Sequence, residues 1–90
     1  MASFKLVIKR SAAEEIESID QKKRRQLVIK RIRELAADPR PPGCEKLSGR
    51  QPRYRVRQGT FRILYEIKDE ELVVYVVKVA DRRDVYKRYT

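Results

Sequence analysis

The 90-residue chain contains no histidine, no tryptophan and a single cysteine, Cys44. Without a second thiol there is no disulfide framework, and without imidazoles no Cys/His metal site can be assembled. Such cysteine usage suits a reducing compartment. No stretch approaches the ~18 apolar residues of a membrane span, and the N-terminus lacks the apolar core of a secretory leader. A cytoplasmic protein with no membrane partner, metal or cofactor is therefore expected. Acidic residues are also scarce, at 13 against 23 Lys plus Arg, which leaves a net charge of +10. Self-repulsion at that charge works against compactness, so an anionic partner is implied: nucleic acid, an acidic protein or an anionic membrane surface.

What is present is enough for one core. Residues 1–90 are read as a single domain, because a chain this short buries only about 60–65% of its unfolded surface and leaves no material for a second core. Hydrophobic residues make up 41% of the chain and charged residues 40%; the charged share is well above the roughly 25% of an average soluble domain.

Periodicity supplies the elements. Phe4, Leu6 and Ile8 alternate with Lys5, Val7 and Lys9, which predicts a first strand. Ser11 with Glu14 three residues later reads as a capping box opening a helix through Ala13, Ile16 and Ile19. Asp20 is placed to cap a second helix that turns Leu27, Val28, Ile32, Leu35 and Ala36 to the core. Asp38-Pro39 ends it, since the residue before proline is driven out of the helical region. Arg40 to Arg50, with its prolines and glycines, reads as loop. Two strands then flank Gly59-Thr60, where glycine in the first central position signals a type II′ hairpin turn. That turn pairs Gln58 with Phe61, Arg57 with Arg62, Arg55 with Leu64 and Arg53 with Glu66. Tyr54, Val56, Phe61, Ile63, Tyr65 and Ile67 fall on the other face, toward the helices. A turn at Asp69-Glu70 leads to Leu72–Val79, apolar on both faces and so central in the sheet. Residues 81–90 are polar and suit a short helix. The expected fold is α+β: a small antiparallel sheet in the order β-α-α-β-β-β, with two N-terminal helices packed on one face and a short C-terminal helix.

The hairpin points to anion chemistry. Like charges directly opposite each other destabilise a sheet, so an Arg57–Arg62 rung suggests that the cluster serves an anion. Arg55, Arg57 and Arg62 share that face, and the planar guanidinium fork suits phosphate. The bland alternative is a solvated strand face, with Arg53–Glu66 as a surface ion pair. The last strand returns beside the hairpin turn and brings Arg82, Arg83 and Tyr86 toward Arg57 and Arg62. Tyr86 is placed either to stack on an unpaired base or to pack internally. Lys22, Lys23, Arg24 and Arg25 form a second basic run, either a footprint on structured RNA or a solvated helix face. RNA is the preferred polyanion. Leu64, Val73, Tyr75 and Val77 fall on the arginine face, where an exposed apolar strip would dock a protein.

In order and spacing, these segments resemble the RelE branch of the RelE/ParE superfamily of toxin–antitoxin toxins. The likeness runs from the opening strand and Ser11-Ala12 through Asp38-Pro39 and Lys46-Leu47-Ser48-Gly49. It continues over Tyr54-Arg55-Val56-Arg57, Gly59 to Tyr65, and the closing Val77 to Tyr86. The resemblance implies a ribosome-dependent endoribonuclease, acting through attack of the RNA 2′-OH on the adjacent phosphate and so inhibiting translation. It further implies an acidic, RelB-like antitoxin that wraps the toxin and covers the arginine face; the Leu64, Val73, Tyr75 and Val77 strip is then either its docking site or is covered by the chain's own C-terminal segment. The positions that match the family's catalytic residues are Arg55, Arg57, Arg62, Arg82 and Tyr86; Arg53, Arg83 and the Lys22–Arg25 run are read as further RNA contacts. Two departures stand out. Arg55 and Arg57 replace residues that are often lysines, and an arginine with a pKa of about 12.5–13.8 is a poor general base. Tyr86, Asp81, Asp84 or a ribosomal group then remain as proton acceptors. Asp81 also stands where a His or Lys is common. Two other classes stay open: a ParE-like toxin that binds DNA gyrase without nuclease chemistry, and a non-toxic RNA-binding module.

Overall fold

In a computed structural model, which describes residues 3–82, the chain runs β1 (Lys5–Ile8), α1 (Arg10–Glu17), α2 (Lys22–Ala37), β2 (Glu45–Leu47), β3 (Arg53–Gln58), β4 (Phe61–Lys68) and β5 (Val73–Asp81). The expected short helix at the C-terminus falls almost wholly outside these residues. The strands form one sheet in the order β1-β5-β4-β3-β2. The α+β class and the two helices on one face are as expected. The sheet, however, is mixed: β1 lies parallel to β5, with Leu6 opposite Val74 and Ile8 opposite Val76. Strand periodicity identifies a strand but not its neighbour. Here β5, apolar on both faces, is enclosed on one edge by β4 and on the other by a segment 68 positions earlier in register.

Alternation decides the core. Tyr54, Val56, Phe61, Ile63, Tyr65, Val74, Val76 and Val79 point to one side of the sheet and meet Ala12, Ile16, Ile19, Val28, Ile32 and Leu35 from the helices. Leu27, expected in that core, is 42% exposed. It lies about 100° around α2 from Val28, past the edge of the buried stripe. The α2 segment ends at Ala37 with Asp38 extended, as the following proline requires.

Neither expected N-cap forms. The α1 helix starts a residue before Ser11, which therefore lies inside the first turn; Lys9 is the cap and makes no side-chain bond. Glu14 instead pairs with Arg10 one turn back, at 3.5 Å. Gln21 rather than Asp20 precedes α2, again without a side-chain cap. The segment read as loop contains the short edge strand β2, antiparallel to β3. Three residues among prolines and glycines carry too little alternation to be read as a strand.

Two devices brace the sheet. Past Val76 the open edge of β5 is covered by α1: Glu15 accepts the Val79 N–H at 3.0 Å and the Lys78 ammonium at 3.0 Å. A bulge lies beside this contact, since Leu64 pairs with Lys78 but Tyr65 with Val76, leaving Val77 as the extra residue. At the sheet end away from the hairpin turn, Arg40 lies over the Tyr54 ring at 5.3 Å and forks onto Asp69 at 2.9 and 3.1 Å. That contact holds the Asp69 carboxyl below its usual range. Tyr54 stacks on Tyr65, whose hydroxyl donates to the Pro39 carbonyl at 2.6 Å.

Burial raises the Tyr65 phenol above its ordinary value. Tyr65→Phe removes the donor and leaves the Pro39 carbonyl unpaired, which is expected to cost about 1–2 kcal/mol in urea denaturation at neutral pH. Because the folded-state pKa is raised, this stabilisation is complete below the free phenol's pKa near ~10 and declines as pH rises beyond it. The gap between wild type and Tyr65→Phe should therefore narrow above that pH.

Candidate functional site

The register of β3 and β4 is the one expected from the turn: Gln58 faces Phe61, Arg57 faces Arg62, Arg55 faces Leu64 and Arg53 faces Glu66. Gly59 sits at φ +61°, a conformation that glycine adopts without the steric penalty a Cβ brings. On the inner face Val56 and Ile63 are buried. Pleating therefore turns the partnered arginines outward, onto the face opposite the helices.

β5 completes the site. Ala80 pairs with Arg62 and Asp81 with Phe61. The Arg82 N–H then donates to the Thr60 carbonyl at 2.8 Å, so the end of β5 is bonded to the hairpin turn. Arg57, Gly59, Thr60, Phe61, Arg62 and Arg82 line a concavity of about 240 Å³. That is smaller than the ~300–1,000 Å³ of pockets that enclose organic ligands. It suits a small anionic group held on an exposed rim.

The arginines of the face divide into two sets. Arg53 pairs with Glu66 at 3.3 Å and also donates to Gln51. Arg55 pairs with Glu45 on β2. Arg57, Arg62 and Arg82 have no carboxylate partner among the described residues. Among the described residues, Arg53 and Arg55 are thus neutralised while the guanidinium groups at the hairpin end are not. The pairing of Arg55 was not foreseen, because it depends on β2.

The Lys22–Arg25 run also divides. Lys22 and Lys23 are exposed. Arg25 turns back to the Ile19 carbonyl at 3.4 Å. Arg24 donates to Thr60 Oγ1 at 2.7 Å, lies over the Phe61 ring at 4.9 Å and sits 3.7 Å from Asp81. Its bonding capacity is directed at the protein, so it is not a free RNA contact. Asp81 is 9% exposed and faces α2, which removes it from the basic face and from the candidate proton acceptors there. Arg83, Asp84 and Tyr86 lie outside the described residues.

Three of the four apolar residues expected beside the arginines share their face. Tyr75 pairs with Glu66 and Val73 with Lys68, which puts both on the arginine face with Leu64, and Val77 is the bulge residue beside them. All four are half-buried. Val7, opposite Tyr75 on β1, extends the strip and is 36% exposed; it was missed because the parallel pairing was not foreseen. No helix among the described residues is long and apolar enough to cross a membrane.

Comparison with known proteins agrees with this architecture. A family model described as the ParE toxin of the type II toxin–antitoxin system parDE matches residues 6–86. Toxin RelG of Mycobacterium tuberculosis (strain ATCC 25618 / H37Rv) is 43% identical over 35 residues, which is 39% of this chain and 40% of that toxin's length. The archaeal RelE–RelB complex from Pyrococcus horikoshii OT3 superposes with a TM-score of 0.78 at 21% identity, covering 89% of this chain and 96% of that one. The intact E. coli RelBE toxin–antitoxin complex gives a TM-score of 0.75 at 25% identity, covering 88% and 96% respectively. The chain belongs to the RelE/ParE superfamily of toxins and has the RelE-type fold.

Proposed function

We propose that this chain is the toxin of a type II toxin–antitoxin pair, acting in the cytoplasm as an endoribonuclease that cuts mRNA on the ribosome. The observation that supports it most is the convergence of Arg57, Arg62 and Arg82 on one concavity at the hairpin turn. In the proposed reaction the RNA 2′-oxygen attacks the adjacent phosphorus and the bond to the 5′-oxygen breaks. The products are a 2′,3′-cyclic phosphate and a free 5′-hydroxyl. Negative charge builds on the non-bridging oxygens, where pre-positioned guanidinium groups stabilise it most. The nucleophile belongs to the substrate and the positive charge to the protein, so the reaction as proposed needs no metal.

Arg62 takes the central role, since its rung lies between Arg57 on β3 and Ala80 on β5. Arg57 and Arg82 hold the phosphate from either side. Arg55, tied to Glu45, is assigned a supporting place one rung back, and Arg53 a peripheral RNA contact. Arginine stays protonated near neutral pH, its pKa being about 12.5–13.8. The 2′-OH proton is therefore assigned to Tyr86 or a ribosomal group, and the departing 5′-oxygen takes up a proton from water. Lys22 and Lys23 supply non-specific attraction to the RNA backbone.

The partner proposed for the toxin is an acidic, RelB-like antitoxin. RelB is the partner in the archaeal complex. The net charge of +10 favours an acidic protein here, and the Leu64, Val73, Tyr75 and Val77 strip beside the arginines gives it an apolar anchor. A second reading takes the matched family at its description, ParE. On that reading the arginines are a docking surface for DNA gyrase and cut nothing.

Three outcomes are expected. Inorganic phosphate should raise the melting temperature by a few degrees relative to chloride at equal ionic strength, and Arg62→Gln should abolish the rise. Primer extension on translating ribosomes should show cuts that Arg62→Ala weakens by about 10²–10³-fold, the usual loss for one oxyanion contact. Unchanged cutting by that variant would refute the nuclease assignment; inhibition of gyrase supercoiling with no cuts would install the second reading. Val73→Asp should abolish antitoxin binding in co-purification while circular dichroism stays native.

A further inference from the structure

One guanidinium joins three segments that must agree for the basic concavity to exist. Arg24, in the first turn of α2, donates to Thr60 Oγ1 at 2.7 Å, stacks 4.9 Å from the centre of the Phe61 ring and lies 3.7 Å from Asp81 Oδ2. Thr60 forms the hairpin turn, Phe61 immediately precedes Arg62, and Asp81 immediately precedes Arg82. The same Thr60 accepts the Arg82 N–H through its carbonyl at 2.8 Å. Arg24 thus grips, from the helix side, the backbone from which Arg62 and Arg82 project outward. Its own side chain is 27% exposed, which suits an internal tie better than a contact for passing RNA.

The tie answers a mechanical need. Arg57 and Arg62 repel across the outer face of the hairpin. That repulsion acts at the sheet end farthest from the Arg40–Asp69 brace. A single guanidinium nitrogen, Nη2, meets both the hydroxyl and the carboxylate while the planar group lies over the aromatic ring; a compact, strongly hydrated ammonium has no such face to lay on the ring. We propose that Arg24 is a positioning residue that fixes Arg62 and Arg82 in register around the phosphate, through Thr60 and Asp81, without touching RNA. This rests on the reading of the concavity as the site of phosphate cleavage.

The experiment compares Arg24→Lys, Thr60→Val, the double variant and Arg62→Ala on programmed ribosomes. It reads the cutting rate at saturating toxin separately from the toxin concentration that gives half-maximal cutting. Arg24→Lys keeps the charge and loses the planar group that lies over Phe61. It should lower the saturated rate at least tenfold and leave the half-maximal concentration within twofold, with a native melting curve. Thr60→Val, which removes only the hydroxyl, should lower the rate in the same way. The double variant should be no slower than Arg24→Lys, because both lesions cut one connection. A higher half-maximal concentration at an unchanged rate would make Arg24 an RNA contact and overturn the proposal. If Arg24→Lys melts early, Thr60→Val carries the test alone, and its full activity overturns the proposal. Arg62→Ala separates the two levels: if it cuts normally the nuclease reading itself falls, whereas an inactive Arg62→Ala beside fully active Arg24→Lys and Thr60→Val removes only the positioning role.

Discussion

Two guanidinium groups face each other across the Arg57–Arg62 rung, and much of the surrounding structure bears on that placement. Like charges in that arrangement push the strands apart. The inner face of the same hairpin opposes the push, with Val56, Ile63 and Tyr65 fully buried against the helices. Apolar burial at about 25 cal/mol per Å² outweighs repulsion between partly solvated charges, which the high dielectric at a surface keeps small. The sheet can therefore carry a surplus of positive charge on one side because its other side is a core.

The third arginine of the cluster depends on a local irregularity. β5 is in register with β1 up to Val76 and with the start of β4 from Lys78 onward, and the bulge at Val77 separates the two stretches. Bulges commonly re-aim side chains near sites. Here the extra residue leaves Val74, Val76, Val79 and Asp81 all on the core side, although their spacing breaks strict alternation. Arg82 follows at the hairpin turn. Glu15, reaching from α1 to the Val79 N–H, satisfies the edge that β1 is too short to cover.

Neutralisation is distributed as unevenly as charge. Glu45 and Glu66 take Arg55 and Arg53, Asp69 takes Arg40, and Asp81 lies against Arg24. The exposed pairs among them contribute little stability individually. They leave Arg57, Arg62 and Arg82 as the guanidinium groups of the hairpin end without a carboxylate partner among the described residues. An anion meeting this face finds those three groups together at the hairpin turn.

The elements that the sequence determined unaided are those governed by short-range rules. A two-residue turn with glycine first set the pairing of Arg57 with Arg62, because hairpin register follows from turn geometry and needs no distant partner. The Asp38-Pro39 stop and the division of Tyr54 to Ile67 between two faces are local for the same reason. The expected caps at Ser11 and Asp20 do not form because a shift of one or two residues in a helix start removes the bond. Only the tertiary structure could place β1 beside β5, recruit Glu45 to Arg55, and turn Arg24 and Asp81 inward against each other. Those contacts join residues from 10 to 68 positions apart, and no periodicity in a chain records which of its distant segments will share an edge or a charge.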